Sequence, residues 1–381
     1  DKNFWLFFPG GLVKLGPDLS VLQRNGFPPN FNMSSFGLDA DGVFWFGTWD
    51  QGLYRFDPND SSFINIRNVP GDDYSLRSNS VNDVMVDRDQ NIWVASAKGV
   101  SKLHRKNLEF TNVDLQVSGS TIYKTKEKDF LVIGKFDPIT QSKGIFMAPI
   151  LPGNLTALQF QPILTHVPGN DMPRFYKGKR YFWISTNAGG KGIFGLPINP
   201  KSEMIEPGPP LRIVNVPDNP KTIGSDQVRA VWEDLEENLW AGTDAGLSKV
   251  NLRIPYGEEG SVVTYKHLDA DTNSIHVNTV NQMYPENERS FWVLDSKGAD
   301  LFHRDSQHFE HVFKNREIAD NLYKTSDGTL FLGTIKGLYE AKKIHGRYFV
   351  EAAPLWSKGE VTAIQEDRLG RRGVDAIAEG D

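Results

Sequence analysis

The chain has 381 residues, a formal net charge of −6 at pH 7, 12% aromatic residues, 35 glycines, 22 prolines and no cysteine. The acidic balance argues against broad nucleic-acid binding, which needs a basic footprint to displace counterions, and the lack of cysteine excludes disulfides, thiolate metal sites and cysteine nucleophiles. No apolar run reaches the roughly 18 residues of a membrane-spanning helix, and the first residues, Asp1-Lys-Asn-Phe, do not read as a signal peptide.

In chain order, a two-strand pattern appears first at Asn3-Phe-Trp5 and Gly11-Leu-Val-Lys-Leu15, then at Phe44-Trp-Phe-Gly-Thr48 with Gly52-Leu-Tyr-Arg-Phe56. Residues 75–103 give the whole unit: an apolar strand (Val81-Asn-Asp-Val-Met-Val), an acidic turn, a Trp-centred strand (Asn91-Ile-Trp-Val-Ala95), a Gly turn and a third strand (Gly99-Val-Ser-Lys-Leu103). Weaker copies follow at Phe130-Leu-Val-Ile-Gly134 with Gly144-Ile-Phe146, and at Phe182-Trp-Ile-Ser-Thr186 with Gly192-Ile-Phe194. Residues 222–250 and 274–302 align with 75–103 without a gap, and Leu330-Phe-Leu-Gly-Thr334 with Gly337-Leu-Tyr339 is a further copy. Near the end, Val361-Thr-Ala-Ile-Gln-Glu supplies the half of the unit that the N-terminus lacks.

Such a unit cannot bury both of its faces alone and must stack on copies of itself. Trp5, Trp45, Trp93, Leu131, Trp183, Trp240, Trp292 and Phe331 form one column with a mean step of about 47 residues, the length of a four-stranded blade. The expected fold is all-β, a single β-propeller of eight four-stranded blades, with seven as the alternative if the copy at 131 or 183 is an insertion. Residues 1–370 would form it, a closing blade drawing strands from 1–30 and 361–370 so that no edge is left open. Residues 371–381, where Arg371-Arg-Gly-Val replaces the repeat pattern, would be an irregular tail.

The repeated residues read as scaffold. A Trp at every strand centre fills the wedge between sheets, the Gly column (Gly99, Gly246, Gly298) serves hairpin turns, and Thr48, Ser96, Thr186, Thr243 and Thr334 can close those turns by hydrogen bonds. The acidic turns Asp39-Ala-Asp-Gly42 and Asp87-Arg-Asp-Gln90 lack the ligand series of an EF-hand. Glu233 and Asp234 are neighbours on one turn, so they do not read as an acid/base pair. The eight histidines show no His-Glu-x-x-His pattern, and no nucleophile elbow or phosphate loop is present. Neither a catalytic residue, a metal ligand nor a cofactor is therefore expected. Lys177-Gly-Lys-Arg180 reads as a solvated hairpin.

The run Val228-Arg-Ala-Val-Trp-Glu-Asp-Leu-Glu-Glu-Asn-Leu-Trp-Ala-Gly-Thr-Asp-Ala-Gly-Leu247 closely resembles the two-component regulator propeller repeat, and 44–56 and 91–103 resemble it too. The resemblance implies an extracytoplasmic, periplasmic sensor propeller of a membrane-bound hybrid histidine kinase or similar regulator, many of which respond to oligosaccharides. Such sensors usually carry two propellers, a β-sandwich, a membrane helix and a kinase. One propeller's worth of repeats is present here, so a fragment of a longer regulator is expected.

In a propeller the loops entering the first strand and the hairpins after the Trp strand share one face. They vary while the scaffold columns repeat, as recognition loops should. The ligand-binding candidates on that face are Trp49 and Asp50; Arg77, Asn79 and Lys98; Asp226, Arg229 and Asp244; and His276, Asn278 and Asp295. Trp49 stands outside the Trp column, and an aromatic ring beside charged and amide groups suits the apolar face and hydroxyls of a sugar.

The leading expectation is a non-catalytic sensor of a small molecule or oligosaccharide, working with neighbouring domains of a longer regulator and with a second copy of itself as a homodimer, without nucleic acid. Alternatives are a propeller lactonase or lyase with a channel metal assembled from several blades, and a protein-interaction scaffold.

Overall fold

The computed structural model describes residues 3–366, apart from 17, 19, 97, 105–108, 115–116, 138–141, 151–157, 168–172, 187–190, 207, 315–317, 326–327, 351–352, 356 and 358–359. The expected tail at 371–381 lies outside the described residues. All regular elements among the described residues are strands, in chain order β1 (Phe4–Phe8), β2 (Gly11–Leu15), β3 (Val21–Gly26), β4 (Met33–Leu38), β5 (Phe44–Thr48), β6 (Leu53–Asp57), β7 (Ser62–Ile66), β8 (Val81–Val86), β9 (Ile92–Ser96), β10 (Gly99–His104) and β11 (Glu109–Asp114). They continue as β12 (Val117–Lys124), β13 (Asp129–Asp137), β14 (Ser142–Pro149), β15 (Gln161–Val167), β16 (Pro173–Lys177), β17 (Tyr181–Thr186), β18 (Ile193–Pro197), β19 (Leu211–Ile213), β20 (Val228–Glu233), β21 (Asn238–Thr243), β22 (Gly246–Asn251) and β23 (Val262–Tyr265). The last are β24 (Gln282–Asn287), β25 (Ser290–Asp295), β26 (Gly298–His303), β27 (His308–Phe313), β28 (Ile318–Lys324), β29 (Leu330–Thr334), β30 (Gly337–Ile344), β31 (Arg347–Val350) and β32 (Ala363–Glu366).

These strands make eight four-stranded antiparallel sheets, the blades of a β-propeller. Seven follow the chain directly, from β4-β5-β6-β7 to β28-β29-β30-β31, and the eighth has the order β3-β2-β1-β32. The weak copies around 131 and 183 are full sheets, β12 to β15 and β16 to β19, which removes the seven-blade alternative. In the sheet shared by the two chain ends, Trp5 faces Gln365 and Leu6 faces Ile364 across β1 and β32. That pairing covers an edge of β1 that would otherwise present unpaired backbone groups.

The chain divides into two compact units: Asp1–Thr165, Tyr323–Leu338 and Pro354–Asp381 form the first, His166–Leu322 and Tyr339–Ala353 the second. In the first unit β4 lies beside β8 and β8 beside β12; in the second β20 lies beside β24. First strands therefore approach one another, as inner strands of blades do, while fourth strands such as β3 and β7 carry the exposed residues Leu22 and Ile64.

Second strands are covered on both faces, so they read as continuous apolar runs instead of alternating. All five residues of β5 and of β9, and all six of β21 and β25, are buried. Trp5, Trp45, Trp93, Trp183, Trp240 and Trp292 each have under 2% or about that exposure and are the largest buried side chains. They pack against the following sheet: Trp5 meets Phe44 edge-on at 5.6 Å, Trp240 meets Phe291 at 4.8 Å, and Trp292 meets Tyr348 at 5.0 Å. On the third strand Lys14, Lys102 and Lys249 stand directly opposite Trp5, Trp93 and Trp240 and hold their ammonium groups 5.4, 5.3 and 5.6 Å from the rings. Truncating one such Trp to Ala would cost on the order of 3–5 kcal/mol.

The acidic turns exist for the indoles. Asp39, Asp87 and Asp234 each stand six residues before a Trp and accept its indole N–H, at 3.0, 2.8 and 2.8 Å. Their other oxygen takes turn amides, such as Val43 N at 3.1 Å, Asn91 N at 2.8 Å and Asn238 N at 2.9 Å. Glu286 does the same for Trp292 at 3.0 Å. The β16–β17 turn, Lys177 to Arg180, has no acid, and Glu233 of β20 reaches across to accept the Trp183 indole at 2.8 Å and the Arg180 amide at 3.0 Å. Glu233 and Asp234 thus serve two different sheets.

Candidate functional site

The three loops that enter β8, β20 and β24 are built on one repeated set of hydrogen bonds. Asn68 N donates to the side-chain oxygen of Asn79 at 2.8 Å, Asn215 N to that of Asp226 at 2.6 Å, and His267 N to that of Asn278 at 2.7 Å. The side chains of Asn68, Asn215 and His267 in turn contact the carbonyls of Leu76, Ile223 and Ile275. Ser75, Thr222 and Ser274 tie the loop's other end to Val69, Val216 and Leu268. The loops differ in sequence, yet their polar frame is the same.

That frame also joins each loop to the preceding sheet's hairpin. Gly52 N donates to the Asn79 carbonyl at 2.8 Å, Gly192 N to that of Asp226 at 3.2 Å, and Gly246 N to that of Asn278 at 2.7 Å. Loops and hairpins do share a face within each unit, as the repeat order implies. Asn79, Asp226 and Asn278 each use a side-chain oxygen to hold the loop.

Around them the candidates separate by exposure. In the first unit Trp49 is half-buried and its amide donates to the Asn32 carbonyl at 3.1 Å, while Asp50 and Lys98 are exposed. Arg77 is half-buried, and its amide donates to Ser101 Oγ at 3.2 Å, fastening the loop to β10. Hairpin 48–52, loop 77–79 and β10 are therefore linked by hydrogen bonds. In the second unit Asp244 and Asn278 are exposed, and Arg229 and His276 half-buried.

Arg229 sits at a β-bulge, since the β20–β21 register shifts between Val228 and Ala230. Bulges re-aim a side chain and occur beside functional sites. Its carbonyl accepts from Arg174 Nη1 at 2.8 Å and the Tyr176 hydroxyl at 3.2 Å, and its own Nε is buried without a hydrogen-bond partner. An orphaned guanidinium nitrogen costs stability unless another acceptor reaches it.

Asp295 corrects an expectation. Its place at the end of a Trp strand beside the variable hairpin points to a ligand contact, but it is fully buried. Burial and the nearby Asp300 push its carboxyl up to about 7 against the lowering effect of amide donors from Lys297 and Gly298. Two neighbours that sequence reasoning missed, Asp300 and His311, complete a cluster with Asp295 and His276. Their signal was a carboxylate at position 300, where the aligned repeats have Ser101 and Ser248.

Among the described residues no three His, Asp or Glu side chains are grouped so as to hold a metal ion, and no helix is long and apolar enough to cross a membrane. In the acidic turns, Asp39 and Asp87 accept from indoles and amides.

Residues 75–98 match the family model described as two component regulator propeller. A 78-residue segment is 26% identical to Histidine kinase P4 of Formosa agariphila, covering 20% of this chain and 6% of that protein. Among solved structures, AztD from Citrobacter koseri has a similar fold, with a TM-score of 0.55 and 9% identity over 96% of this chain and 99% of that one. The extracellular domain of a putative one component system from B. thetaiotaomicron gives a TM-score of 0.43 and 18% identity over 93% of this chain and 48% of that one. The chain thus spans about half the length of that extracellular domain. Residues 75–98 therefore carry a two component regulator propeller repeat, and residues 222–250 and 274–302 align with the same stretch without a gap.

Proposed function

We propose that this chain is a non-catalytic ligand-sensing propeller, the extracytoplasmic sensor portion of a two component regulator that responds to an oligosaccharide or a similar solute. The matched repeat and the histidine kinase relative support the sensor role. The observation that carries the solute is Trp49. Six tryptophans of the strand-centre column are buried scaffold, whereas Trp49 stands half-exposed on a hairpin, followed by the exposed Asp50 and linked through Gly52 and Asn79 to the loop of Arg77.

A sugar ring stacked on Trp49 would offer hydroxyls to Asp50, Arg77 and Lys98, a pairing of apolar face and polar rim that suits saccharides. In the second unit Arg229 and Asp244 are the corresponding contacts for a solute. Neighbouring domains of a longer regulator, and a second copy of the chain, are the partners through which the bound state would pass on. Thermal unfolding against a panel of neutral and acidic oligosaccharides, with and without calcium, tests the reading, since a ligand that binds only the folded state raises the melting temperature. A saccharide-dependent rise supports it. A rise with a divalent metal alone would favour a metal-dependent lactonase or lyase, and no rise at all an interaction scaffold.

A further inference from the structure

The β24–β27 sheet repeats the pattern of its sisters with ionisable groups where they have hydroxyls. Thr48, Ser96, Thr243 and Thr334 end their second strands, and each donates its hydroxyl to the carbonyl of the glycine at or just before the start of the third strand, at 2.8, 3.0, 2.8 and 2.9 Å. At that position β25 carries Asp295, opposite Gly298. Asp295 is wholly buried; its Oδ1 accepts the Lys297 amide at 2.6 Å and its Oδ2 has no hydrogen-bond partner. An ionised carboxylate has no hydrogen to give to the glycine carbonyl.

A second column changes in the same sheet. Ser101 and Ser248 accept the amides of Arg77 and Gly224 at 3.2 and 3.1 Å. Asp300 replaces them, taking the His276 amide on Oδ2 at 2.9 Å and His311 Nδ1 on Oδ1 at 2.8 Å. The His276 and His311 rings lie 5.4 Å apart, and His276 Nδ1 is buried without a partner. His276 approaches the hairpin itself, its Nδ1 being 3.5 Å from where a Cβ on Gly298 would sit. Lys297, Lys314 and His267 are the other charged or titratable groups acting on the cluster.

We propose that this sheet holds a proton-binding site: Asp295 is protonated in the closed β25–β26 hairpin and donates from Oδ2 to the Gly298 carbonyl, as the sister hydroxyls do, and loss of that proton loosens the hairpin. Burial, reinforced by Asp300, raises the Asp295 carboxyl from its ordinary 3.8 to about 7. Between those values the closed state binds a proton that the open state does not, so closure weakens as pH rises, by up to about tenfold per pH unit, and the loss is complete above about 7. His311, raised by its hydrogen bond to Asp300, loses its contribution in the same direction as pH rises through its folded-state value. His276 is pushed the other way by burial and is the member that stays neutral more readily. A hairpin that loosens on deprotonation is a property of this sheet whether or not a solute binds the chain.

Hydrogen exchange of the whole chain between pH 5 and 8.5, corrected for the intrinsic pH dependence of amide exchange, reads this directly. Protection of residues 290–303 is expected to fall severalfold per pH unit up to about 7 and then level, while the sister hairpin at 238–251, with Thr243 at the hydroxyl position, stays flat. Asp295→Thr and Asp295→Asn, which restore a neutral donor, should remove the pH dependence at 290–303. Equal, flat protection of the two hairpins in the unmodified chain overturns the proposal, and this comparison stands even if neither variant folds. Persistence of the pH dependence in a folded Asp295→Thr or Asp295→Asn chain overturns it as well.

Discussion

The indole N–H of Trp93 donates to Oδ2 of Asp87 at 2.8 Å, and Oδ1 of the same carboxylate accepts the Asn91 amide at 2.8 Å. One buried acid thereby fixes both the turn between the first two strands and the side chain that fills the gap to the next sheet. Asp87→Ala would leave the indole and the amide as buried donors without an acceptor. A loss of about 2–4 kcal/mol is expected from two orphaned groups, measured as a lower denaturation midpoint at unchanged slope, and Asp87→Asn, which keeps an acceptor oxygen, should lose less.

Glu233 makes the same kind of bond for a neighbouring sheet. Its substitution by Ala removes the acceptor of the Trp183 indole and of the Arg180 and Tyr181 amides. Hydrogen-exchange protection of the β16–β17 hairpin should therefore fall by roughly tenfold or more, equivalent to about 1.4 kcal/mol. The β20–β21 turn, held by Asp234, should change far less. A loss confined to the sheet that carries Glu233 would contradict the cross-sheet role.

Two glycines separate backbone strain from collision. Gly246 has φ +116, and a Cβ added to it would lie 2.4 Å from the Tyr265 carbonyl oxygen; Gly257 has φ +91 and open space around it. Gly257→Ala should cost about 1 kcal/mol, the price of an L-residue at positive φ. Gly246→Ala must also displace a neighbouring strand and should cost about 3 kcal/mol or more. Thermal unfolding of the two variants side by side checks the difference.

What repeats was legible in the sequence. The Trp and Gly columns gave the sheets, and the split copy at the two ends gave the pairing of β1 with β32, because packing between like sheets demands like residues. The constant spacing from Asp39, Asp87, Asp234 and Glu286 to their tryptophans was legible too, but an acid in a turn has so many possible uses that its indole partner emerged only in three dimensions. Loop candidates fared differently. Asn79, Asp226 and Asn278 look like variable polar residues, yet they occupy one aligned position and hold one bond. Asp295 looked like a surface carboxylate because nothing local marks the position as a buried hydroxyl site; only its alignment with Ser96 and Thr243 does. Trp49 stood out for the opposite reason, as a tryptophan that no column explains.

The central claim is that recognition and scaffold are carried by different tryptophans. Calorimetric titration of the saccharide that most stabilises the protein, with the unmodified chain and with Trp49→Ala, tests it most directly. Trp49→Ala should weaken binding at least about tenfold, the loss of a stacking contact of roughly 1.5 kcal/mol, while the ligand-free melting temperature moves by no more than about 2 °C. Undiminished affinity in Trp49→Ala, or a variant that unfolds as readily as one lacking a column tryptophan, would contradict the account.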